Sequence, residues 1–311
     1  MKHISIVGLG AVGAIYAWRL TEFLGKEHVR IVVDENRLER YKSQGVKLNG
    51  KRVDFHYVLP HTNVEPADLI LVCTKNHHLE EALQSVASHV GKNTVLLSLL
   101  NGIDSEEVMA KHFGADKVLY GFTTALDSTR TGNQIDFSTE GIIYMGEKDN
   151  SRSARIEALS HLFEQAGISS VVPDDIKREL WVKFMVNVSI NTISAITRAT
   201  YGDCATVEPI RTLIAQTMRE VVNLAQKVGI HGLDESYIAK YQKIFASLEF
   251  EGKTSMLQDV EALRETENQW FCLRASQLAK KVGVATPLID VLGTLVEGID
   301  ATGQRKKAAC N

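Results

Sequence analysis

The chain has 311 residues, 44% hydrophobic and 23% charged, with a net charge of −3 and a pI near 6.4. That length allows two domains, and the composition is that of an ordinary soluble globular protein with no basic footprint for nucleic acid. The four cysteines (Cys73, Cys204, Cys272, Cys310) form no C-x-x-C pair and the ten histidines no H-E-x-x-H spacing, so the expectation is reduced thiols, a cytoplasmic protein and no metal site.

Met1-Lys2-His3 leads straight into a strand, without a signal-peptide pattern. No run of roughly 18 consecutive apolar residues offers a membrane span. His3 to Val7 reads as a buried strand, followed by Gly8-Leu9-Gly10-Ala11-Val12-Gly13 and an apolar helix to about Leu24. A second strand, Val29 to Val33, ends at Asp34, and a charged helix follows over Asn36 to Ser43. Asn49-Gly50 marks a tight hairpin turn between Val46-Lys47-Leu48 and Arg52 to Val58. Ala67 to Thr74 is a continuous apolar run, as expected of a strand buried on both faces. A helix over Leu79 to His89 leads to another such strand, Thr94 to Leu99. This alternation predicts a doubly wound, mostly parallel α/β sheet of the Rossmann type.

Residues 117–147 change character and predict an antiparallel extension of four short strands: Val118 to Phe122, Thr123 to Asp127, Gln134 to Phe137 and Ile142 to Met145. A helix over Ala154 to Gln165 and a strand at Ser169 to Val172 close the first half. Beyond Pro173 the pattern is helical, through 175–200, 206–229, 234–247, 260–283 and 286–300. The expected division is therefore a dinucleotide-binding domain over 1–173 and an all-α substrate domain over 174–311. The polar tail from Gly303 is expected to be disordered.

Gly8-x-Gly10-x-x-Gly13 gains its meaning from context, after a strand and opening a helix. The first glycine permits the tight turn, the second lets backbone approach a pyrophosphate, and the third lets helix pack on sheet. The helix N-terminus then offers free N–H groups to the anion. The plainer reading is a glycine turn without a nucleotide. Asp34, 21 residues after Gly13, suits the two ribose hydroxyls of NAD and repels a 2′-phosphate, although Arg37 can swing towards one. It can equally be a solvated loop carboxylate. Lys75 and Asn101 stand at two further strand ends, where ligands bind in such sheets. Lys75 suits cofactor phosphate or ribose, and Asn101 the nicotinamide end. In isolation they read equally well as a surface lysine and an Asn-Gly turn residue.

In the helical half, Lys183, Asn187 and Asn191 interrupt an apolar segment at i, i+4 and i+8, which a helix stacks in one line. An unpaired polar group in such a setting costs a few kcal/mol, so the line requires polar partners. An ammonium and two amides suit a carbonyl and a carboxylate. The alternative is a lysine that snorkels to solvent beside two amides satisfied by backbone.

Taken together, the chain resembles the ketopantoate reductase (2-dehydropantoate 2-reductase) family, with its 6-phosphogluconate-dehydrogenase-like C-terminal domain. The resemblance runs from Gly8 to about Val296. It rests on the glycine motif, Leu100-Asn101-Gly102-Ile103, Trp181-Val182-Lys183-Phe184 with Asn187 and Asn191, Thr254-Ser255-Met256-Leu257-Gln258-Asp259, and Thr266-Glu267. It implies that Lys183 is the catalytic lysine and that Asn187 and Asn191 hold substrate. It further implies that Ser255 takes the substrate carboxylate, that Glu267 takes its hydroxyl groups and joins Lys183 as a catalytic residue, that Lys75 and Asn101 contact an NAD(P)H cofactor, and that Asn101 also contacts substrate. Ser255 also reads as a capping serine, and Glu267 as part of a solvated acidic helix face.

Three positions depart from the family pattern. Asp34 replaces the arginine that grips the 2′-phosphate of NADP, so the residue favours NAD where the resemblance favours NADP. Tyr201-Gly202 replaces Asn-Gly, and Asn268-Gln269 replaces the Ile-Asp of Thr-Glu-Ile-Asp. The expected activity is hydride transfer to the ketone of a 2-oxo acid, ketopantoate to pantoate, with Lys183 as general acid. Desolvation beside Phe184 and Val186 would ease release of its proton. The alternatives are an NAD-dependent D-2-hydroxyacid dehydrogenase for branched or aromatic 2-oxo acids, and a non-catalytic dinucleotide sensor. The partners implied are a small 2-oxo acid and, from apolar helix faces such as Ile210 to Val228, a second copy in a homodimer. Neither nucleic acid nor a membrane is among them.

Overall fold

The computed structural model describes residues 1–310, with side chains through Ala309, as two compact units, Met1–Ile176 and Lys177–Asn311. In the first, β1 (Ile4–Val7), β2 (Val29–Val32), β3 (Val46–Leu48), β4 (Lys51–Val53), β5 (His56–Val58), β6 (Leu69–Val72), β7 (Val95–Ser98), β8 (Val118–Thr131), β9 (Gln134–Gly146) and β10 (Ser170–Val171) form one sheet. Helices α1 (Ala11–Leu24), α2 (Glu35–Gln44), α3 (Leu79–Ser85), α4 (Ser105–Phe113) and α5 (Ala154–Gln165) complete the unit. The strand order is β4-β3-β9-β8-β7-β6-β1-β2-β5, with β10 on β9. Strands β7, β6, β1, β2 and β5 run parallel. The chain builds outward from β1 in one direction, then returns to lay β6 on its other side, so β1 and β6 flank the switch point where such sheets bind ligands.

Continuous apolar strands supply both faces. Leu69 and Leu71 of β6 join one core, with Ile15 and Leu20 of α1, while Ile70 and Val72 join the other, with Leu83 of α3 and Met109 of α4. A strand covered by helices on both sides needs no polar alternation.

Several local expectations are corrected. The four short strands of 117–147 are two long ones, β8 and β9, paired antiparallel through a bulge between Asp127 and Ser128. A bulge shifts alternation by one residue, which breaks the pattern without ending the strand. Arg52 to Val58 is two strands: β4 closes the Asn49-Gly50 hairpin, both turn residues at positive φ, and β5 leaves to pair with β2. Helix α4 was not anticipated.

The second unit holds α6 (Ile176–Val186), a π-helical turn (Asn187–Asn191), α7 (Thr192–Thr197), α8 (Tyr201–Thr206), α9 (Glu208–Lys227), α10 (Ser236–Phe245), α11 (Ser255–Glu261), α12 (Cys272–Val282) and α13 (Pro287–Cys310). The expected helix over 260–283 is broken between α11 and α12 at Leu263, which takes a left-handed φ of 51°. As far as Cys310, the tail expected to be disordered is instead the last turns of α13, and Asn311 lies outside the described residues. Ile176–Thr197 is long and apolar enough to span a membrane by composition, but 78% of its apolar window is buried within the protein. It is a core helix.

Candidate functional site

Each unit presents one candidate surface. In the sheet unit, Gly8 to Gly13 leave β1 at the switch point. A side chain at Gly8, whose φ is +94°, would meet the Cys73 carbonyl carbon and the Thr74 nitrogen, each at 2.6 Å; one at Gly13 would meet the Gly8 oxygen at 2.0 Å. These two glycines are demanded by the fold itself. Gly10 is different: a side chain there meets nothing closer than 4.0 Å. The space in front of Gly10 is therefore open, as a cradle for a diphosphate requires. Gly10 also caps α1 without a side-chain hydrogen bond, so the first-turn N–H groups at Ala11, Val12 and Gly13 have no capping side chain. Leu9 is buried at the back of the turn.

Asp34 caps α2. Its Oδ1 accepts the Arg37 N–H at 2.7 Å, and its Oδ2 lies 2.9 Å from the Arg37 guanidinium. The carboxylate stays at the end of β2, and Arg37 is held by it. Lys75 and Asn101 follow β6 and β7. A residue not singled out from the sequence, Asn76, ties their loops together by donating from Nδ2 to the Asn101 oxygen at 2.9 Å. Its only sequence signal is its place beside Lys75. Glu106, also missed, is wholly buried on α4 shortly after Asn101. Burial pushes its carboxyl up to about 7, against hydrogen bonds from its own N–H, Gly121 and Ser105.

In the helical unit, Lys183 is partly buried on α6, while Asn187 and Asn191 are each 8% exposed. Asn191 Nδ2 donates to Asn187 Oδ1 at 3.3 Å, so the two amides form a chain along the helix. Both lie in the π turn, a rare local widening frequent at functional sites. Ser189 stabilises it from the opposite side, donating to the Met185 oxygen at 2.8 Å and contacting the Val186 oxygen at 3.2 Å. A hydroxyl bonded back onto the preceding turn loosens the regular i→i−4 ladder.

Ser255 is the exposed first residue of α11, with Thr254 as the cap. The Thr254 hydroxyl donates to Ser194 Oγ at 3.2 Å, which ties the start of α11 to α7. Tyr201 and Gly202 donate their N–H groups to the oxygens of Gly252 and Phe250, each at 2.9 Å, so the strand of chain leading into Ser255 is seated on Tyr201. Glu267, 8% exposed, follows Thr266, whose N–H and hydroxyl both bond to Asp300, at 3.2 and 2.7 Å. Cys272, a few residues on, lies against the π turn, with Sγ 3.4 Å from Thr192 Oγ1 and 3.8 Å from the Val188 oxygen. Thr254, Thr266 and Asp300 were not found from the sequence, because a buried hydroxyl or carboxylate that supports a neighbour carries no local pattern. A separate cavity of about 400 Å³, between Arg198, Leu263 and Lys306, contains none of the expected site residues.

Residues 4–150 match the family described as ketopantoate reductase PanE/ApbA, and residues 175–300 its C-terminal counterpart. The chain belongs to the ketopantoate reductase family. It is a nicotinamide-dependent oxidoreductase of the class acting on CH–OH donors. It is 26% identical over 301 residues to a 2-dehydropantoate 2-reductase of Archaeoglobus fulgidus, covering 97% of this chain and 99% of the relative. Among solved structures it is similar to a 2-dehydropantoate 2-reductase of Geobacter metallireducens (27% identity, TM-score 0.84, 95% and 99% coverage). It is similar also to a D-mandelate dehydrogenase in ternary complex with NADH and anilino(oxo)acetate (25% identity, TM-score 0.85, 97% and 99% coverage).

Proposed function

We propose that this protein reduces the ketone of a 2-oxo acid to the 2-hydroxy acid, as ketopantoate to pantoate, with Lys183 as general acid. The single observation that carries the reading is the polar line of the core helix: Lys183 one turn before the first of two nearly buried amides, in a largely buried helix of a family whose relatives are named for this reaction. A reduced nicotinamide, when bound, supplies the hydride.

The residues of this chain do the rest. The Lys183 ammonium stabilises negative charge growing on the carbonyl oxygen and delivers the proton there. Asn187 and Asn191 donate to the substrate oxygens and fix its pose. Ser255, at a helix N-terminus, holds the carboxylate with its hydroxyl and N–H. Glu267, held in place through Thr266 and Asp300, accepts from substrate hydroxyl groups. Gly8 to Gly13, Asp34, Lys75 and Asn101 bind the dinucleotide in the first unit, and residues 174–311 form the substrate domain. The enzyme works in the cytoplasm. Val291 and Leu295, 59% and 48% exposed and four residues apart on α13, offer an apolar stripe for a homodimer.

A second reading has its own support. Asp34 stands at the end of β2 and occupies Arg37, which favours NADH. Tyr201 fills the position of a small amide beside the segment leading to Ser255. Both features suit an NADH-dependent dehydrogenase of bulky 2-oxo acids, the kind of enzyme named in the mandelate dehydrogenase neighbour. A paired assay decides: ketopantoate and phenylglyoxylate, each with NADH and with NADPH. Turnover of ketopantoate supports the first reading, and preference for phenylglyoxylate with NADH the second. No reduction of either acid with either cofactor would refute both.

A further inference from the structure

Arg130 lies far from every motif discussed above, near the tip of the β8–β9 hairpin, yet its guanidinium reaches the glycine turn. Nη1 donates to the carbonyl oxygen of Leu9, Nη2 lies 3.4 Å from the Tyr41 hydroxyl, and Nε donates to the Gly132 oxygen at 2.9 Å. The hairpin tip that carries it is itself anchored. The Lys47 N–H donates to the Asn133 oxygen at 2.9 Å, and Asn133 Nδ2 to Gln44 Oε1 at 2.9 Å. The cation is thus delivered to Leu9 from a fixed base.

The consequence follows from peptide geometry. In a trans peptide the C=O and the next N–H point in opposite directions, and there is no cis bond among the described residues. Holding the Leu9 carbonyl towards Arg130 therefore turns the Gly10 N–H the other way, and Gly10 is the one glycine of the motif with open space before it. Without Arg130, that carbonyl loses a charged donor and the peptide is free to rotate its oxygen towards an incoming anion. Tyr41 is 4% exposed. Burial raises its phenol, but the charges and hydrogen bonds of Arg130 and Arg40 outweigh this and hold it below the ordinary tyrosine range.

We propose that Arg130 is a positioning residue for the cofactor diphosphate, fixing the Leu9–Gly10 peptide so that its N–H faces the phosphates. This rests on the reading that a dinucleotide occupies the glycine turn. The test measures binding of ADP, adenosine, NADH and NADPH to wild type and to Arg130→Gln and Arg130→Lys, by ligand-observed NMR and fluorescence titration. Losing a charge-assisted bond that orients a phosphate ligand weakens affinity roughly tenfold or more. The expected result is such a loss for ADP, NADH and NADPH alike, at most about twofold for adenosine, a smaller loss in Arg130→Lys, and kcat preserved at saturating cofactor. Equal weakening of ADP and adenosine, or unchanged NADH binding, overturns the proposal and leaves Arg130 as a staple between hairpin and turn. Should Arg130→Gln fail to fold, Arg130→Lys carries the same comparison. If wild type binds neither ADP nor NADH, the nucleotide reading itself falls, and this proposal with it.

Discussion

The glycine turn after β1 and the polar line on the core helix, the two surfaces to which the proposed function assigns ligands, are built by opposite means. The turn works by leaving side chains out: Gly8 and Gly13 are glycine because backbone already fills the space, whereas Gly10 has open space before it. The helix works by putting polar side chains where apolar ones would pack, at Asn187 and Asn191, 8% exposed each. A backbone surface is robust to distant change but intolerant of a methyl group. A side-chain surface tolerates local change but depends on supports such as Ser189, Thr254 and Asp300 that hold each group in place.

The comparison breaks most severely at Lys183. In Lys183→Ala, kcat should fall about 10²–10⁴-fold, the range for losing a positioned acid, while the Kd for NADH measured by fluorescence stays within about twofold. Retained turnover would remove the polar line from the chemistry. On the glycine side the effect should split within one motif. Gly13→Ala places a carbon 2.0 Å from the Gly8 oxygen and should cost about 3 kcal/mol or more of stability, read by denaturant unfolding. Gly10→Ala should leave the unfolding midpoint nearly unchanged and weaken NADH roughly tenfold. Equal destabilisation by the two would mean that Gly10 also serves packing.

A smaller effect concerns two buried titrating groups of the sheet unit. Glu106 is raised to about 7, so between pH 4.5 and 7 the folded state binds the proton that the unfolded state has lost, and stability falls as pH rises. His89, wholly buried, bonded to Ser5 Oγ at 2.8 Å and lowered to about 4 by burial with a contribution from Arg30, acts in the opposite sense. Its stability is present above 6.5 and is lost as pH falls towards 4. The two oppose each other between 4.5 and 6.5. Glu106→Gln should therefore uncover the histidine: stability rising with pH from about 4 to 6.5 and then level, a difference from wild type on the order of 2–3 kcal/mol by pH 8. Parallel pH profiles for the two proteins would show that the carboxyl ionises normally. The smallest effect belongs to Ser189→Ala, which removes the bond to the Met185 oxygen and should cost about 1 kcal/mol. An unchanged urea midpoint would show that the π turn persists without it.

Legibility followed the range of the physics. The glycine motif, the buried parallel strands and the Asn49-Gly50 hairpin could be read because each depends on a few consecutive residues and their backbone limits. The long β8–β9 ribbon was misread as four strands because a bulge resets alternation. The break before α12 escaped because the helical period resumes on the far side of Leu263. Lys183, Asn187 and Asn191 stood out because polar groups in an apolar helix are costly anywhere.

By itself, the sequence determined the doubly wound first half, the helical second half, and the chemical character of both surfaces, since hydrophobic period and glycine geometry are local properties of the chain. Only the tertiary structure decided that Asn76 joins two strand ends and that Arg130 reaches Leu9 across 121 residues of chain. Those contacts depend on strand order and hairpin registry, which arise from the packing of the whole unit and leave no mark on neighbouring residues.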